Sequence, residues 1–283
     1  MVDEPAVERI ASLEGFLEVA GPFLADREAE HNLLLGICSN LRLGARPPAS
    51  GPIDFLVVRR VGAVVLAALR TPPYNLVLSE VDDGEAVPAL AEALAGADLP
   101  GVVGPTGHAG AFAQDWCARA GRRSILELRE RIFQLRAVRP PSPAPPGRLR
   151  LAGRADRDLI VRWFDAFGRE ALPGGLVEES GPLVDRRLDS GGVYLWDDDG
   201  PVSLAVVGSR TPHGARVGPV YTPPERRKRG YASACVAGAS QAELDQGLSF
   251  VFLFTDLANP TANHIYQEIG YEPVRDVDQW RFG

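Results

Sequence analysis

Short apolar runs closed by Gly- or Pro-containing turns recur along the chain. Between them lie longer stretches in which apolar residues return at helical spacing. In the second half this pattern predicts a strand at 149–152 and helices at Asp156–Glu170 and about Glu178–Leu188. Strands at 193–197, 202–209 and 215–222 follow, then a helix at 229–246, a strand at 249–255, a helix at 260–269 and a last strand near 273–282. The first half predicts a similar order. It has apolar strands at Val64–Leu69 and Asn75–Glu80, and a helix around Ala86–Leu94. A strand with a Gly-rich turn at Gly101–Gly110, a helix to Gly121 and a strand near Ile132–Val138 complete it. Mixed strand connections with helices on both faces imply a twisted central sheet, an α+β (mixed α/β) fold class.

The similarity of the two halves is also visible as a faint repeat. Leu-Ala-Ala-Leu-Arg-Thr-Pro at 66–72 is echoed by Leu-Ala-Val-Val-Gly-Ser-Arg-Thr-Pro at 204–212, each an apolar strand ending in the same turn. Between the halves, Val138–Gly147 is a proline-rich stretch, stiff and unable to build a core. The chain is therefore expected to divide into units at 1–138 and 149–283, joined by a linker at 139–148.

At 283 residues and 45% apolar content, two ordinary globular domains are affordable. A net charge of −7 argues against general nucleic-acid binding. The best apolar run, Val61–Leu69, falls far short of the ~20 residues needed to cross a bilayer, so no membrane partner is expected. The start, Met-Val-Asp-Glu-Pro, lacks the basic and apolar regions of a secretion signal. Cys38, Cys117 and Cys235 are scattered, odd in number and without metal-ligand spacing. These features predict reduced thiols in a cytoplasmic protein without a metal.

Against that acidic background one basic cluster stands out. Val220-Tyr-Thr-Pro-Pro-Glu-Arg-Arg-Lys-Arg-Gly-Tyr-Ala-Ser233 runs from a strand through four consecutive cations, Arg226 to Arg229, into a helix. Lys228 is the only lysine of the chain. Gly230 permits a tight turn and close backbone approach, and the first amides of the helix face outward with its dipole behind them, a device for a pyrophosphate. A second block, Asn259 to Tyr271, reads N-x-x-A-x-x-x-Y-x-x-x-G-Y.

Arg227 to Ala232, as R-x-x-G-x-A after a strand, together with the second block in this order, resembles the GNAT N-acetyltransferase superfamily. The detailed resemblance covers about Val217–Tyr271 and, more loosely, everything after Leu149. It implies two tandem acyl-CoA N-acyltransferase-like domains, each a twisted mixed sheet with helices on both faces. The implied partners are acetyl-CoA as co-substrate and an amine-bearing acceptor; the oligomeric state is open. Arg227, Lys228 and Arg229 with the amides of Gly230, Tyr231, Ala232 and Ser233 would hold the pyrophosphate. Strand residues Val220, Tyr221 and Thr222 would meet the pantetheine arm and thioester, and one N–H would stabilise the oxyanion. Family members splay this strand from its neighbour at a bulge, which the sequence does not reveal.

Tyr266 matches the family's general acid for the departing thiolate. Asn259 and Asn263 would either bind pantetheine amides or cap the helix. For the general base Glu170, Glu178, Glu179 and Asp256 stay open, and His213 and His264 are expected at the surface. The first half carries Glu80-Val-Asp-Asp-Gly-Glu85 where the second carries its cations, and Cys117 where the tyrosine would stand. It is expected to be an acyltransferase-like unit without a cofactor site. Two alternatives to acetyl transfer remain: a non-catalytic acyl-CoA-binding sensor, and a transferase using another acyl-CoA.

Overall fold

The computed structural model describes residues 4–45, 51–171 and 180–283. Each half of the chain runs through the same elements. The first contains β1 (Ala6–Ile10), α1 (Leu13–Asp26), α2 (Asn32–Arg42), β2 (Asp54–Arg60), β3 (Ala63–Arg70) and β4 (Leu76–Leu78). It continues with α3 (Ala86–Ala93), β5 (Gly101–Pro105), α4 (His108–Ala120) and β6 (Ser124–Leu135). The second contains β7 (Arg148–Leu151), α5 (Arg157–Ala171), α6 (Ser180–Asp189), β8 (Val193–Asp197), β9 (Pro201–Gly208) and β10 (Gly214–Tyr221). After these come α7 (Tyr231–Asp245), β11 (Phe250–Asp256), α8 (Pro260–Ile269) and β12 (Glu272–Phe282). The repeat seen at 66–72 and 204–212 thus marks equivalent strands, β3 and β9.

The strands form one 12-stranded sheet in the order β1-β2-β3-β4-β5-β12-β6-β11-β10-β9-β8-β7. That order is a palindrome with one exchange: the final strand of each half crosses into the sheet of the other. β12 pairs with β5 and β6 runs beside β11, while β6 and β12 pair antiparallel along the centre. The two halves are therefore joined edge to edge into a single continuous sheet. In each half one neighbouring pair is parallel, β4 with β5 and β10 with β11.

β6 begins at Ser124, eight positions before the strand expected near Ile132, because its charged residues find partners on β12. Arg131 forms a two-pronged pair with Asp276 at 2.5 and 2.8 Å, Arg129 lies 3.5 Å from Asp278, and Glu127 accepts from Gln279 at 3.0 Å. Cross-strand pairs of this kind stabilise a strand that local apolarity would not specify.

Helices cover both faces. α1 and α2 pack on Phe55, Val57, Ala67 and Leu69, with α5 and α6 on the same face of the second half over Val193, Leu195, Leu204 and Val206. α3 and α4 lie on the opposite face over Leu56, Val58, Leu66 and Val102, and α7 and α8 over Ala205, Val207, Val251 and Leu253. Burying each such side chain is worth about 1.5–3 kcal/mol.

A polar clamp joins the halves as well. Glu28, just past α1 and buried, accepts hydrogen bonds from the Thr211 hydroxyl and, at 2.8 Å each, from the His213 backbone N–H and Nδ1.

Candidate active site

β10 is regular up to Val217 and then bulges. Val217 pairs with Val207 on β9 and Val220 with Ala205, so Gly218 and Pro219 together oppose Val206. Gly218 has φ 144°, open to glycine, and Pro219 has no N–H to give to a ladder. On its other edge β10 pairs with β11 only from Gly214 to Arg216, opposite Phe250 to Phe252. β11 itself continues to Asp256 beside β6. Two parallel strands thus share three registered pairs and then part, leaving the 217–221 edge of β10 unpaired on that side. An apolar arm with amide groups can enter such an opening and use the free strand edge.

The basic turn follows directly. A short 3-10 turn at Pro224–Arg226 leads through Lys228 at φ 62° and Gly230 at φ 79°, both left-handed, into α7. The helix's own ladder starts with the Ala234 N–H donating to the Gly230 carbonyl at 3.0 Å. Among the described residues, none of the six amides from Lys228 to Ser233 has an acceptor. Unpaired amides ahead of a 15-residue helix form an anion cradle.

The cations divide in two. Lys228 and Arg229 are exposed with no carboxylate partner among the described residues. Arg227 instead turns back: its Nε donates to the Thr222 carbonyl at 2.8 Å, and Nη2 pairs with Glu170 at 2.5 Å. Glu170 also accepts from the Tyr221 hydroxyl at 3.3 Å. Arg227 therefore braces the strand end, while Thr222 and Ser203 share a hydroxyl contact at 2.8 Å. Tyr231 is buried and donates to Asp198 at 2.5 Å, which pins the first turn of α7.

At the end of β11, Asn259 caps α8 by accepting from the Ala262 N–H at 3.1 Å. The Asn263 amide donates to the carbonyls of Asp256 and Asn259, at 3.0 and 2.9 Å, and its Oδ1 is buried without a partner among the described residues. Of the two asparagines, Asn263 keeps an acceptor for a ligand amide. Tyr266 lies one turn further, edge-on to Tyr271 at 5.9 Å and packed against the core beneath α7. Burial pushes its phenol up to about 12. A phenol near its ordinary value would match a thiolate closely. At about 12 the match is poorer, and the hydroxyl keeps its proton as a hydrogen-bond donor.

The opposite face of the opening carries residues from elements far apart in sequence. Glu130 on β6 stands beside Asp256 in the ladder, half-buried and without a hydrogen-bond partner among the described residues. Burial raises its carboxyl above the usual range; Arg216 opposes that and Asp256 adds to it. Arg216 on β10 lies over the Phe254 ring at 5.9 Å and reaches Ser209 at 3.4 Å. Arg187 of α6 lies on the sheet at Gly208, where any side chain would take the space of its guanidinium. Asp256 itself accepts from the Ala258 N–H at 2.8 Å. Glu178 and Glu179 lie outside the described residues. Glu130, Arg187 and Arg216 were not candidates from the sequence. For Glu130 the missing signal is its strand partner, since nothing in residues 124–135 says that they border β11.

Cys38, Cys117 and Cys235 are free and buried, and burial raises the thiols of Cys38 and Cys235 to about 12. None is suited to act as a thiolate nucleophile. His213 is held by Glu28, and His264 faces Glu268 on the surface of α8.

The equivalent loop of the first half, between β4 and α3, is filled by its own ion pairs. Glu80 is buried and pairs with Arg275 of β12 at 2.6 Å, Asp82 pairs with Arg27 at 2.6 Å, and Asp83 pairs with Arg60. Cys117, at the tyrosine's equivalent place, packs in the core under α3 and α4. Carboxylates in this position repel a pyrophosphate.

Residues 158–271 match the model of the acetyltransferase (GNAT) family. Solved structures similar over nearly the whole chain include a Drosophila protein at 12% identity and TM-score 0.69, covering 98% of each chain. Another is a GCN5-related N-acetyltransferase from Sphaerobacter thermophilus, at 14% identity and TM-score 0.62, covering 98% of this chain and 95% of that one. A tandem GNAT protein from the clavulanic acid biosynthesis pathway aligns at 15% identity and TM-score 0.58, covering 99% of this chain and 98% of its own. These likenesses concern the fold. No curated protein matches the sequence. Among the described residues no helix is long and apolar enough to cross a membrane.

Proposed function

The chain carries over residues 158–271 a domain of the GNAT acetyltransferase family, which makes it an acyltransferase, and from that premise we propose that it moves an acetyl group from acetyl-CoA to a primary amine. The observation that carries this reading is the parting of β10 from β11 behind the bulge at Val217–Val220, directly ahead of the unpaired amides of residues 228–233. Lys228, Arg229 and those amides hold the pyrophosphate. The Asn263 Oδ1 and the free edge of β10 take the pantetheine amides.

The acceptor amine attacks the thioester carbonyl from the other face of the opening. The carbonyl oxygen gains charge, and a strand amide near Val220 donates to it. The C–S bond then breaks and the thiolate leaves beside the Tyr266 hydroxyl, which donates a hydrogen bond to it. The nitrogen's proton passes to a carboxylate or water on the acceptor side, and the sulfur takes up one proton from water in exchange. The products are the N-acetylated amine and the free thiol. Buried, high-pKa cysteines make a direct two-substrate transfer the simpler route.

Calorimetry with acetyl-, propionyl- and succinyl-CoA, followed by thiol release with a panel of amines, tests this reading. One site per chain and fastest release from the acetyl donor are expected. Two equivalent sites would restore a cofactor site to the first half. One site with no thiol release towards any amine would leave a binding module instead.

A further inference from the structure

Resting on the transferase reading above, we propose that the acceptor is a small amino acid, its carboxylate held between Arg187 and Arg216 and its amine presented to Glu130. The argument begins with the two guanidinium groups. Arg216 and Gly208 are registered partners on β10 and β9, and the Arg187 guanidinium lies over Gly208. The cations are therefore neighbours on one face of the sheet. Each is half-buried, and neither has a carboxylate within ion-pair distance among the described residues, although Glu130 is close enough to favour the charge on Arg216. Burial disfavours the charge on both, and each has a neighbouring arginine that disfavours it further, Arg187 for Arg216 and Arg186 for Arg187.

An arginine does not escape that cost by losing its proton. Two cations held together at a cleft are stabilised by an anion that accepts from both, and a planar carboxylate fits the guanidinium fork. The edge of the site is built as well. Arg216 and Asn40 both donate to the Ser209 hydroxyl at 3.4 Å, and Gly36 of α2 packs against the same residue.

Across Phe254 the sign reverses. Glu130 and Asp256 are paired positions on β6 and β11, where β11 runs on past its parting from β10. The Asp256 carboxylate is partly engaged by the Ala258 N–H, whereas Glu130 has no hydrogen-bond partner among the described residues. A cationic wall, an aromatic floor and a carboxylate opposite complement a compact zwitterion. A neutral or purely cationic amine would leave Arg187 without an anion and Arg216 with Glu130 alone.

The test uses the full chain and acetyl-CoA. Thiol release is measured with free amino acids, the matching carboxamides and the decarboxylated amines. The free acids should be favoured in kcat/KM by roughly 10- to 100-fold, the range of a charge-assisted bidentate contact. Arg216→Met and Arg187→Met should erase that preference mostly through KM for the acid. The KM for acetyl-CoA should not move, and Arg216→Lys should restore part of the preference. Equal kcat/KM for acid and amide in the wild type, or a preference unchanged in folded Arg216→Met, overturns the proposal.

A second measurement needs no turnover: calorimetry of N-acetylalanine against N-acetylalaninamide. Selective binding of the acid that Arg216→Met abolishes supports the pocket even if acetyl-CoA proves not to be the donor. Equal binding of the two, or none, overturns the pocket and leaves the transferase reading standing.

Discussion

At the scale of single residues, burial alters the chemistry that the residue types suggest. Tyr266 is expected from the sequence as an acid matched to a thiol, but its phenol sits against the core and is raised to about 12. In the proposed transfer its contribution is a hydrogen bond that strengthens as sulfur gains charge. Tyr266→Phe should lower kcat by about 10²-fold, the low end for loss of one transition-state hydrogen-bond donor, with acetyl-CoA affinity unchanged because the bond matters only as sulfur departs. Steady-state kinetics with calorimetry checks both parts, and turnover within a factor of two of wild type would make Tyr266 a packing residue.

His31 shows the same rule in the first half. Its Nδ1 donates to the Leu24 carbonyl at 3.0 Å, and Nε2 accepts from the Glu80 N–H at 3.1 Å. The neutral ring satisfies both contacts. Burial lowers its pKa from the ordinary 6.5. A lowered folded value means that the unfolded chain binds the proton more readily. This stabilisation is complete above pH 6.5 and is lost as the pH falls below it, by at most about 1.4 kcal/mol per unit. Urea midpoints measured at pH 7.5 and 5 should fall apart less in His31→Gln than in wild type, and equal falls would remove His31 from the account.

At the scale of elements, α7 is built to start with unpaired amides. Gly230 holds φ 79°, and a Cβ there would meet only Pro145, at an ordinary 3.7 Å. The chain itself therefore has room for a side chain, and the cost of one is conformational, about 1–2 kcal/mol. Gly230→Val should fold with a lowered melting temperature and bind acetyl-CoA at least ten-fold more weakly, since a branched residue strained at φ 79° shifts the turn that carries the unpaired amides. Unchanged affinity in the folded variant would separate this turn from the cofactor.

The same turn and the Asn259–Tyr271 block were legible in the sequence because their chemistry is local: four cations, a glycine and a capped helix lie within a few residues. β6 was less legible. Glu127, Arg129, Glu130 and Arg131 interrupt its apolar pattern, and the partners that make them tolerable sit on β12. Glu130 was invisible as a site residue for the same reason. The bulge in β10 has a local cause, Gly218-Pro219, but its consequence, the parting from β11, depends on a strand more than 30 residues away.

At the scale of the whole molecule, the proline-rich stretch separates two similar runs of elements, and the sheet crosses that division. A fragment beginning at Gly147 would lack β6, leaving β11 and β12 without the strand between them. Exposed apolar strand edges of this kind associate. The fragment should be insoluble or fail to bind acetyl-CoA. A soluble, fully active fragment would show that β6 is dispensable to the second half. The exchange also predicts coincident urea transitions when Trp116 and Trp163 report separately, because neither half completes its sheet alone.

The exchange further fixes the order in which the protein can be finished as it is synthesised. β6 leaves the ribosome long before either of its neighbours exists, and the sheet of the first half cannot close until the eleven-residue strand β12 has been made. Every chain must therefore hold an unfinished edge until β12 has emerged. Loss of residues 272–283 would damage the half that was made first, by removing the strand beside β5 and the Arg275 partner of Glu80.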